Sequence, residues 1–259
     1  WILLRDLSRP ISAFDPHNLL IFGSGILVGT LAPCSSRYSV DSMNAFNGGI
    51  GSANCGAHFA SELKFAGFDH IVIQGRARRP SYLWVDDDRV EIADASSLWG
   101  LTTSETDERI RELAGDDDVQ MAYIGPAGEN LVRAACIISS RTRAAGRCGL
   151  GAVMGSKNLK AIAVRGSKSI DVADPDRFLE AVDSGWTKVK RSKTAHMLGE
   201  YGTHLAAGIV NNLSCTPFRN FQDDYMPSDR LKKIASEMFH RTYEIRSLAC
   251  FACPIHCSH

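Results

Sequence analysis

Up to about residue 166 the chain alternates short apolar runs with glycine-rich turns. Residues 19–22 (LLIF), 70–75 (HIVIQG), 119–125 (VQMAYIG), 134–140 (AACIISS) and 161–166 (AIAVRG) have the length and apolar content of strands. Residues 81–94 alternate on both sides of Asp86, Asp87 and Asp88, which predicts a hairpin. Two intervening segments have helical spacing. Residues 103–115 offer Thr103 or Ser104 as a cap, acids in the first turn and Gly115 as a stop. Residues 58–67 end in the same way at Gly67, which puts Glu62 and Lys64 on a helix surface. After Lys168 the texture changes. Asp174 is an N-cap, Pro175 a first helical residue, and Phe178, Val182, Trp186 and Val189 follow at helical spacing. Residues 195–213 and 228–244 are helical in pattern as well. The pattern predicts an α+β chain: an N-terminal mixed β-sheet domain with interspersed helices over residues 1–168, then the start of an all-α domain over 169–259.

Composition adds exclusions. Hydrophobic residues make up 44% and charged residues 22% of the 259, enough for a real core. The formal net charge of +0 gives no field that points to nucleic acid or a membrane. The longest apolar stretch, residues 19–32, is broken by Gly23, Ser24 and Gly25 and is too short to span a bilayer. The chain opens with Trp1 and is expected to be truncated at both ends. Its eight cysteines cluster in a metal-ligand pattern, which suits a reducing cytoplasm better than a disulfide framework.

Two stretches carry more small residues than packing requires. Residues 47–67 (NGGIGSANCGAHFASELKFAG) form a glycine-rich loop running into a helix, with Arg37 upstream. Bare N–H groups at such a junction suit an anion. Residues 141–164 set Arg141, Arg143 and Arg147 beside Gly146, Gly149, Gly151 and Gly155, and planar guanidinium groups next to bare backbone suit phosphate. The second stretch is neither a Walker A loop nor a dinucleotide fingerprint. The two stretches point to a phosphate-bearing cofactor of unspecified type, the alternative being ordinary tight connections.

Near the end, CFACPIHC sets Cys250, Cys253 and Cys257 at C-x-x-C-x-x-x-C spacing with Pro254 fixing the loop. Thiolates so spaced favour an iron–sulfur cluster. Zinc, with His256 or His259 as a further ligand, stays open. For the fourth thiolate Cys34, Cys55, Cys136, Cys148 and Cys215 are candidates, each a buried inert thiol by default, and a ligand beyond the end of the chain is the simpler source.

Taken together, ELKFAGFDHIVIQGRA, DASSLWG, IGPAGENLVRAA, AAGRCGLGAVMGSKNLKAIAV and CFACPIHC resemble, in order, signature stretches of the tungsten-containing aldehyde:ferredoxin oxidoreductase family. The resemblance covers nearly the whole chain. It implies an N-terminal sheet domain that forms the floor under a tungsten (or molybdenum) bis-pyranopterin. Arg37, Asn54 and Gly56 match the first pterin-contacting segment, and Arg143, Ala144, Gly146 and Arg147 the second. Asn54 and Ala144 match backbone carbonyl donors to a magnesium ion that bridges the pterin phosphates. Cys250, Cys253 and Cys257 would ligate a [4Fe–4S] cluster close to one pterin. Cys148 stands where many members have glycine, which predicts a slightly altered loop. The implied reaction oxidises a small aldehyde to a carboxylic acid and passes electrons to ferredoxin or an iron–sulfur electron-transfer subunit, with no nucleic acid or membrane partner and with a homo-oligomer left open. The family's acid/base residues belong to later domains, so no catalytic residue is assigned. The alternatives are a related tungsten or molybdenum enzyme with another substrate, such as an aromatic acyl-CoA, and a non-catalytic iron–sulfur or zinc module.

Overall fold

A computed structural model of the chain describes residues 1–7, 11–243 and 246–258. Two compact units form: Trp1–Thr30 with Ser35–Ala173, and Leu31–Cys34 with the residues from Asp174 onward. The first holds α1 (Ile2–Asp6), β1 (Leu20–Ser24), β2 (Tyr38–Met43), β3 (Ile50–Cys55), α2 (Phe59–Phe65), β4 (His70–Ile73), β5 (Ser81–Asp86) and β6 (Arg89–Asp94). It continues through α3 (Thr103–Ala114), β7 (Gln120–Tyr123), α4 (Pro126–Glu129), β8 (Ile137–Ser139), β9 (Arg143–Ala145), α5 (Leu150–Ser156) and β10 (Leu159–Arg165). Four strands make an antiparallel sheet in the order β3-β2-β1-β4, and six make a mixed sheet in the order β6-β5-β10-β7-β8-β9. In the larger sheet β10 runs parallel to β5 and antiparallel to β7. The architecture is a mixed-sheet α+β unit followed by a helical stretch.

Burial explains the arrangement. Leu20 and Phe22 of β1, Tyr38 and Val40 of β2, and Phe59 and Leu63 of α2 share one core with Ile137 and Ile162 of the larger sheet and Val153 of α5. A second core lies under α3, where Ile110 meets Met121, Tyr123, Ala161 and Ala163. Strand β10 feeds both: Ile162 and Val164 point into the first, Ala161 and Ala163 into the second. A strand covered on both faces reads as a continuous apolar run, which is why AIAV shows no alternation. Each large side chain so buried contributes about 1.5–3 kcal/mol of hydrophobic stabilisation.

The hairpin forms as β5 and β6, paired from Ser81↔Asp94 to Asp86↔Arg89. Helix α3 is capped one residue earlier than the pattern suggests. Thr102 is the N-cap, and Glu105 completes a reciprocal capping box with it. Gly115 ends the helix in the left-handed conformation. Glu62 is not on a surface: it is buried, and it accepts from Arg165 Nη1 at 2.7 Å and from the Gly166 N–H at 3.0 Å. Gly166 permits this, since a Cβ there would lie 2.2 Å from the Ala66 nitrogen.

Strands β2, β3 and β9 and helix α5 are hidden in the sequence, as are the short helices α1 and α4. Strand β3 occupies half of the expected glycine-rich loop. Its buried residues are the small Gly51, Ala53 and Cys55, so it lacks the bulky β-branched signal. Strand β2 is masked by the polar Ser39, Asp41 and Ser42, and β9 is a mere three residues. Helix α5 is glycine-rich because it crosses α4 at backbone contact: a Cβ on Gly155 would stand 2.0 Å from the Gly128 carbonyl oxygen.

In the second unit α6 (Pro175–Arg191) starts as expected, with the Asp174 carboxylate accepting from the Arg177 N–H at 3.1 Å. It is followed by α7 (Lys193–Tyr201), a 3-10 turn (Gly202–Ala206), α8 (Ala207–Asn212), α9 (Ser228–Leu231) and α10 (Ser236–Tyr243). The pattern over 195–213 is therefore broken, at Gly202 with its φ of +60°. Helix α6 also holds the Leu31–Cys34 segment: Trp186 Nε1 donates to the Leu31 carbonyl at 2.9 Å, and Gly185 lets Pro33 pack close. Among the described residues no helix is long and apolar enough to cross a membrane.

Candidate functional site

Strand alternation turns Ser52 and Asn54 of β3 outward while Ala53 and Cys55 point into the core. In register, Asn54 stands beside Ser39 and Ser52 beside Asp41. The outer face of the small sheet at this end is therefore small and polar. Arg37 is exposed one residue before β2, and the buried Gly56 follows directly on β3. Ala57, at φ +80°, then turns the chain into α2. In the second segment Arg143 opens β9 opposite Ser139, and the exposed Ala144 pairs with Ile138. Gly146 and Arg147 follow, both exposed.

The fold brings these two segments together. Strand β3 packs along β9. Gly51 makes room for Cys148, since a Cβ at position 51 would fall 2.7 Å from the Cys148 Cβ. The Cys148 thiol reaches the Ser52 carbonyl at 3.9 Å. Tyr38 Oη and Ser139 Oγ are hydrogen bonded at 2.6 Å, joining the strand that follows Arg37 to the residue paired with Arg143. Burial, above all, pushes the Tyr38 phenol well above its usual range. Cys148 itself has φ +68°, a conformation natural to glycine. Asn54 and Ala144 both lie on edge strands, where alternate backbone groups are left unused by the ladder.

Charge sorts the arginines. Arg37 and Arg147 have no side-chain partner among the described residues. Arg141, which the sequence groups with them, is committed elsewhere: its Nε donates to Asp107 Oδ1 at 2.9 Å. Buried Asp107 also accepts from Arg111 Nε at 2.9 Å and from Tyr123 Oη at 3.1 Å. Arg141 therefore pins the β8–β9 turn to α3. Open guanidinium groups beside bare backbone fit an anionic, phosphate-bearing group.

The cysteine loop belongs to the second unit. Leu248 and Ser258 close it as an antiparallel bridge, with Leu248 N–H donating to the Ser258 carbonyl at 2.6 Å. Cys250, Cys253 and Cys257 are each half-buried. Ala252 at φ +48° and His256 at φ +56° curl the backbone between them. His256 is exposed, and His259 lies outside the described residues. Cys34, expected to be a buried inert thiol, is exposed and beside this loop. Its Sγ lies 3.6 Å from Cys253 Sγ, and its N–H donates to the Ala252 carbonyl at 2.7 Å. Burial first, then the hydrogen bond and charge of Cys253 and the charges of Cys257 and Cys250, push the Cys34 thiol up to about 11. Nothing in local spacing signals this neighbour. Cys55 is buried as expected, Cys136 and Cys148 are half-buried, and Cys215 is exposed. Among the described residues no three His, Cys, Asp or Glu side chains gather tightly enough to hold one metal ion. Three soft thiol donors curled into one accessible loop fit a group whose thiolates each bind a different iron atom.

The fold and these placements define a class of chain: a two-sheet platform rimmed by glycine–arginine segments, continued by a helical unit that carries a cysteine loop. Residues 1–166 match the model of the aldehyde ferredoxin oxidoreductase N-terminal domain, and residues 180–259 match that of aldehyde ferredoxin oxidoreductase domains 2 and 3. The chain belongs to the aldehyde ferredoxin oxidoreductase family. It is 45% identical to a tungsten-containing aldehyde ferredoxin oxidoreductase of Pyrococcus abyssi (strain GE5 / Orsay), over 99% of this chain and 42% of that protein. It is 34% identical to an aliphatic sulfonate oxidoreductase, WOR-like subunit, of Pyrococcus furiosus (strain ATCC 43587 / DSM 3638 / JCM 8422 / Vc1), over 99% of this chain and 43% of that one. Among solved structures it resembles the active site complex BamBC of benzoyl coenzyme A reductase in complex with 1,5 dienoyl-CoA, with a TM-score of 0.86 and 31% identity, covering 99% of this chain and 41% of that one. The chain thus spans less than half the length of these relatives.

Proposed function

We propose that the chain is part of an enzyme that oxidises aldehydes to carboxylic acids at a tungsten bis-pyranopterin centre. Electrons would leave through a [4Fe–4S] cluster to ferredoxin or an iron–sulfur electron-transfer subunit. The observation that carries this reading is the meeting of the two glycine–arginine segments where Cys148 closes over Gly51. The metal–dithiolene centre, when bound, supplies the two-electron redox chemistry. The chain's own residues hold it. Arg37, Arg143 and Arg147 neutralise phosphate charge, which would otherwise be costly to enclose. Gly56 and Gly146 leave the backbone bare for close approach. The backbone carbonyls of Asn54 and Ala144 are oxygen donors of the hard type that magnesium takes. Cys250, Cys253 and Cys257 supply cluster thiolates, soft donors whose C-x-x-C-x-x-x-C spacing favours an iron–sulfur cluster. Three cysteines used in this way, out of eight in the chain, suit a reducing cytoplasm.

A second reading, reduction of an aromatic acyl-CoA, is favoured by the 31%-identical structural relative, a benzoyl coenzyme A reductase complex solved with a dienoyl-CoA. With the full-length enzyme, reduction of an oxidised dye by aldehydes supports the first reading, and oxidation of a reduced dye by an aromatic acyl-CoA supports the second. For the cofactor site, Arg37→Ala and Arg147→Ala in the full-length protein are expected to lower tungsten and organic phosphate content while leaving the unfolding midpoint in place. Equal cofactor loading in variants and parent refutes the assignment.

A further inference from the structure

Cys34 has no task in the reading above. It lies far from the cysteine loop in sequence, 219 residues from Cys253, yet their sulfurs are in contact at 3.6 Å. The approach is built from several fixed points. Trp186 and Gly185 of α6 hold Leu31 and Pro33, so the segment that carries Cys34 is anchored on the helical unit. The Cys34 N–H then grips the Ala252 carbonyl at 2.7 Å, which ties the two backbones together one residue before Cys253. Cys34 takes a left-handed φ of +62° and Ala252 one of +48° to make this junction. Non-glycine residues enter that region at a cost, so the junction is held by its surroundings. Cys34 is exposed and Cys253 half-buried, which leaves both sulfurs within reach of a small oxidant.

We propose that Cys34 is a redox partner of Cys253: in the metal-free chain the two thiols join as a disulfide, which shuts the cysteine loop and withholds Cys253 until it is reduced. A disulfide needs its sulfurs at about 2.05 Å, so closure asks for a movement of roughly 1.5 Å, within the reach of side-chain rotation in an exposed loop. The oxidant is a small-molecule disulfide such as oxidised glutathione. One protein thiolate attacks it, forming a mixed disulfide and releasing one glutathione thiolate. The second protein thiol, giving up its proton, displaces the other glutathione and forms the S–S bond. Two cysteine sulfurs are oxidised by two electrons in all, and one glutathione disulfide is reduced to two thiols. A dithiol reverses the sequence. The consequence for metal loading rests on the reading of Cys253 as a cluster ligand: a bound iron atom occupies the Cys253 sulfur and blocks the bond, while the bond blocks iron.

The test uses the full-length protein in metal-free and iron-loaded forms. Each is treated with oxidised glutathione, its free thiols are alkylated, and it is digested without reductant for mass spectrometry. The expected result is a peptide pair linked through Cys34 and Cys253 in the metal-free form, absent from the iron-loaded form and from Cys34→Ser. Uptake of iron from ferrous iron and sulfide should be lost in the oxidised parent and restored by dithiothreitol. Reduced Cys34→Ser should load iron like the parent. Absence of the linked peptide overturns the proposal, and so does its formation at equal yield in the iron-loaded form. A parent that forms the link when oxidised but, once reduced, takes up no iron overturns the cluster reading of Cys253, and with it the withholding role, while leaving the disulfide itself standing.

Discussion

Tyr38 stands where the two sheets of the first unit are joined, and replacing it by phenylalanine isolates one hydroxyl. The ring is 1% exposed and packs against Phe22 and Phe59, with centroids 6.2 and 5.0 Å away, and phenylalanine keeps those contacts. What is lost is the 2.6 Å bond to Ser139 Oγ, together with the hydrogen bond to the Cys55 thiol. Ser139 is fully buried and makes no other side-chain hydrogen bond among the described residues, so its hydroxyl is left unpaired. A buried hydrogen bond is worth about 1 kcal/mol net, and orphaning a partner costs about 1–3 kcal/mol. Tyr38→Phe should therefore destabilise by about 1–3 kcal/mol, or about 2–4 °C in melting temperature for each kcal/mol in a domain of this size. Ser139→Ala should cost less, because the Cys55 thiol remains as a partner for Tyr38. The double variant should recover part of the loss. Urea unfolding of the four proteins gives the coupling directly. Additivity of the two single changes within about 0.3 kcal/mol would show that the hydroxyls do not tie the sheets together.

Two further outcomes are expected. Gly149 has φ +63° and a Cβ there would stand 2.0 Å from the Arg133 carbonyl oxygen, so Gly149→Ala should cost about 3–5 kcal/mol in urea unfolding. Gly48, at φ +76° in open space, should cost about 1 kcal/mol as alanine, and equal costs at the two sites would refute the close-approach argument. Burial, with the charge of Arg76 second, pushes the Lys157 ammonium down to about 8, although its Nζ donates to the Asn18 and Gly75 carbonyls at 2.5 and 3.2 Å. Between that value and 10.5 the unfolded chain binds more protons than the folded one, so stability should rise with pH through this window. Lys157→Met should lack the rise, and parallel curves of urea midpoint against pH for parent and variant would contradict it.

The elements legible in the sequence are those whose signal is local. The β5–β6 hairpin is marked by alternation around three aspartates, α6 by Asp174 and Pro175, and the end of α3 by Gly115. Strand β3 escapes because its inward residues are small, and Gly51 among them is small because Cys148 presses against it from far along the chain. The glycine–arginine segments are legible as stretches whose composition suits an anion, but their meeting is not: Cys148 and Ser52 are 96 residues apart. Arg141 looks like its neighbours Arg143 and Arg147 until Asp107, 34 residues away, claims it. Cys34 shows the same limit more sharply, since no spacing rule links it to Cys253.

The central place of β10 has a consequence for synthesis. It is the last strand of the first unit to be made, and it lies between β5 and β7. As the polypeptide leaves the ribosome, the β5–β6 hairpin and the β7–β8–β9 meander exist first as separate pieces, each with an unpaired edge open to the wrong partner. Arrival of Leu159–Arg165 joins them in one event. Nascent chains arrested just before residue 159 should be protease-sensitive throughout residues 81–145, and those arrested once β10 has cleared the exit tunnel should be protected.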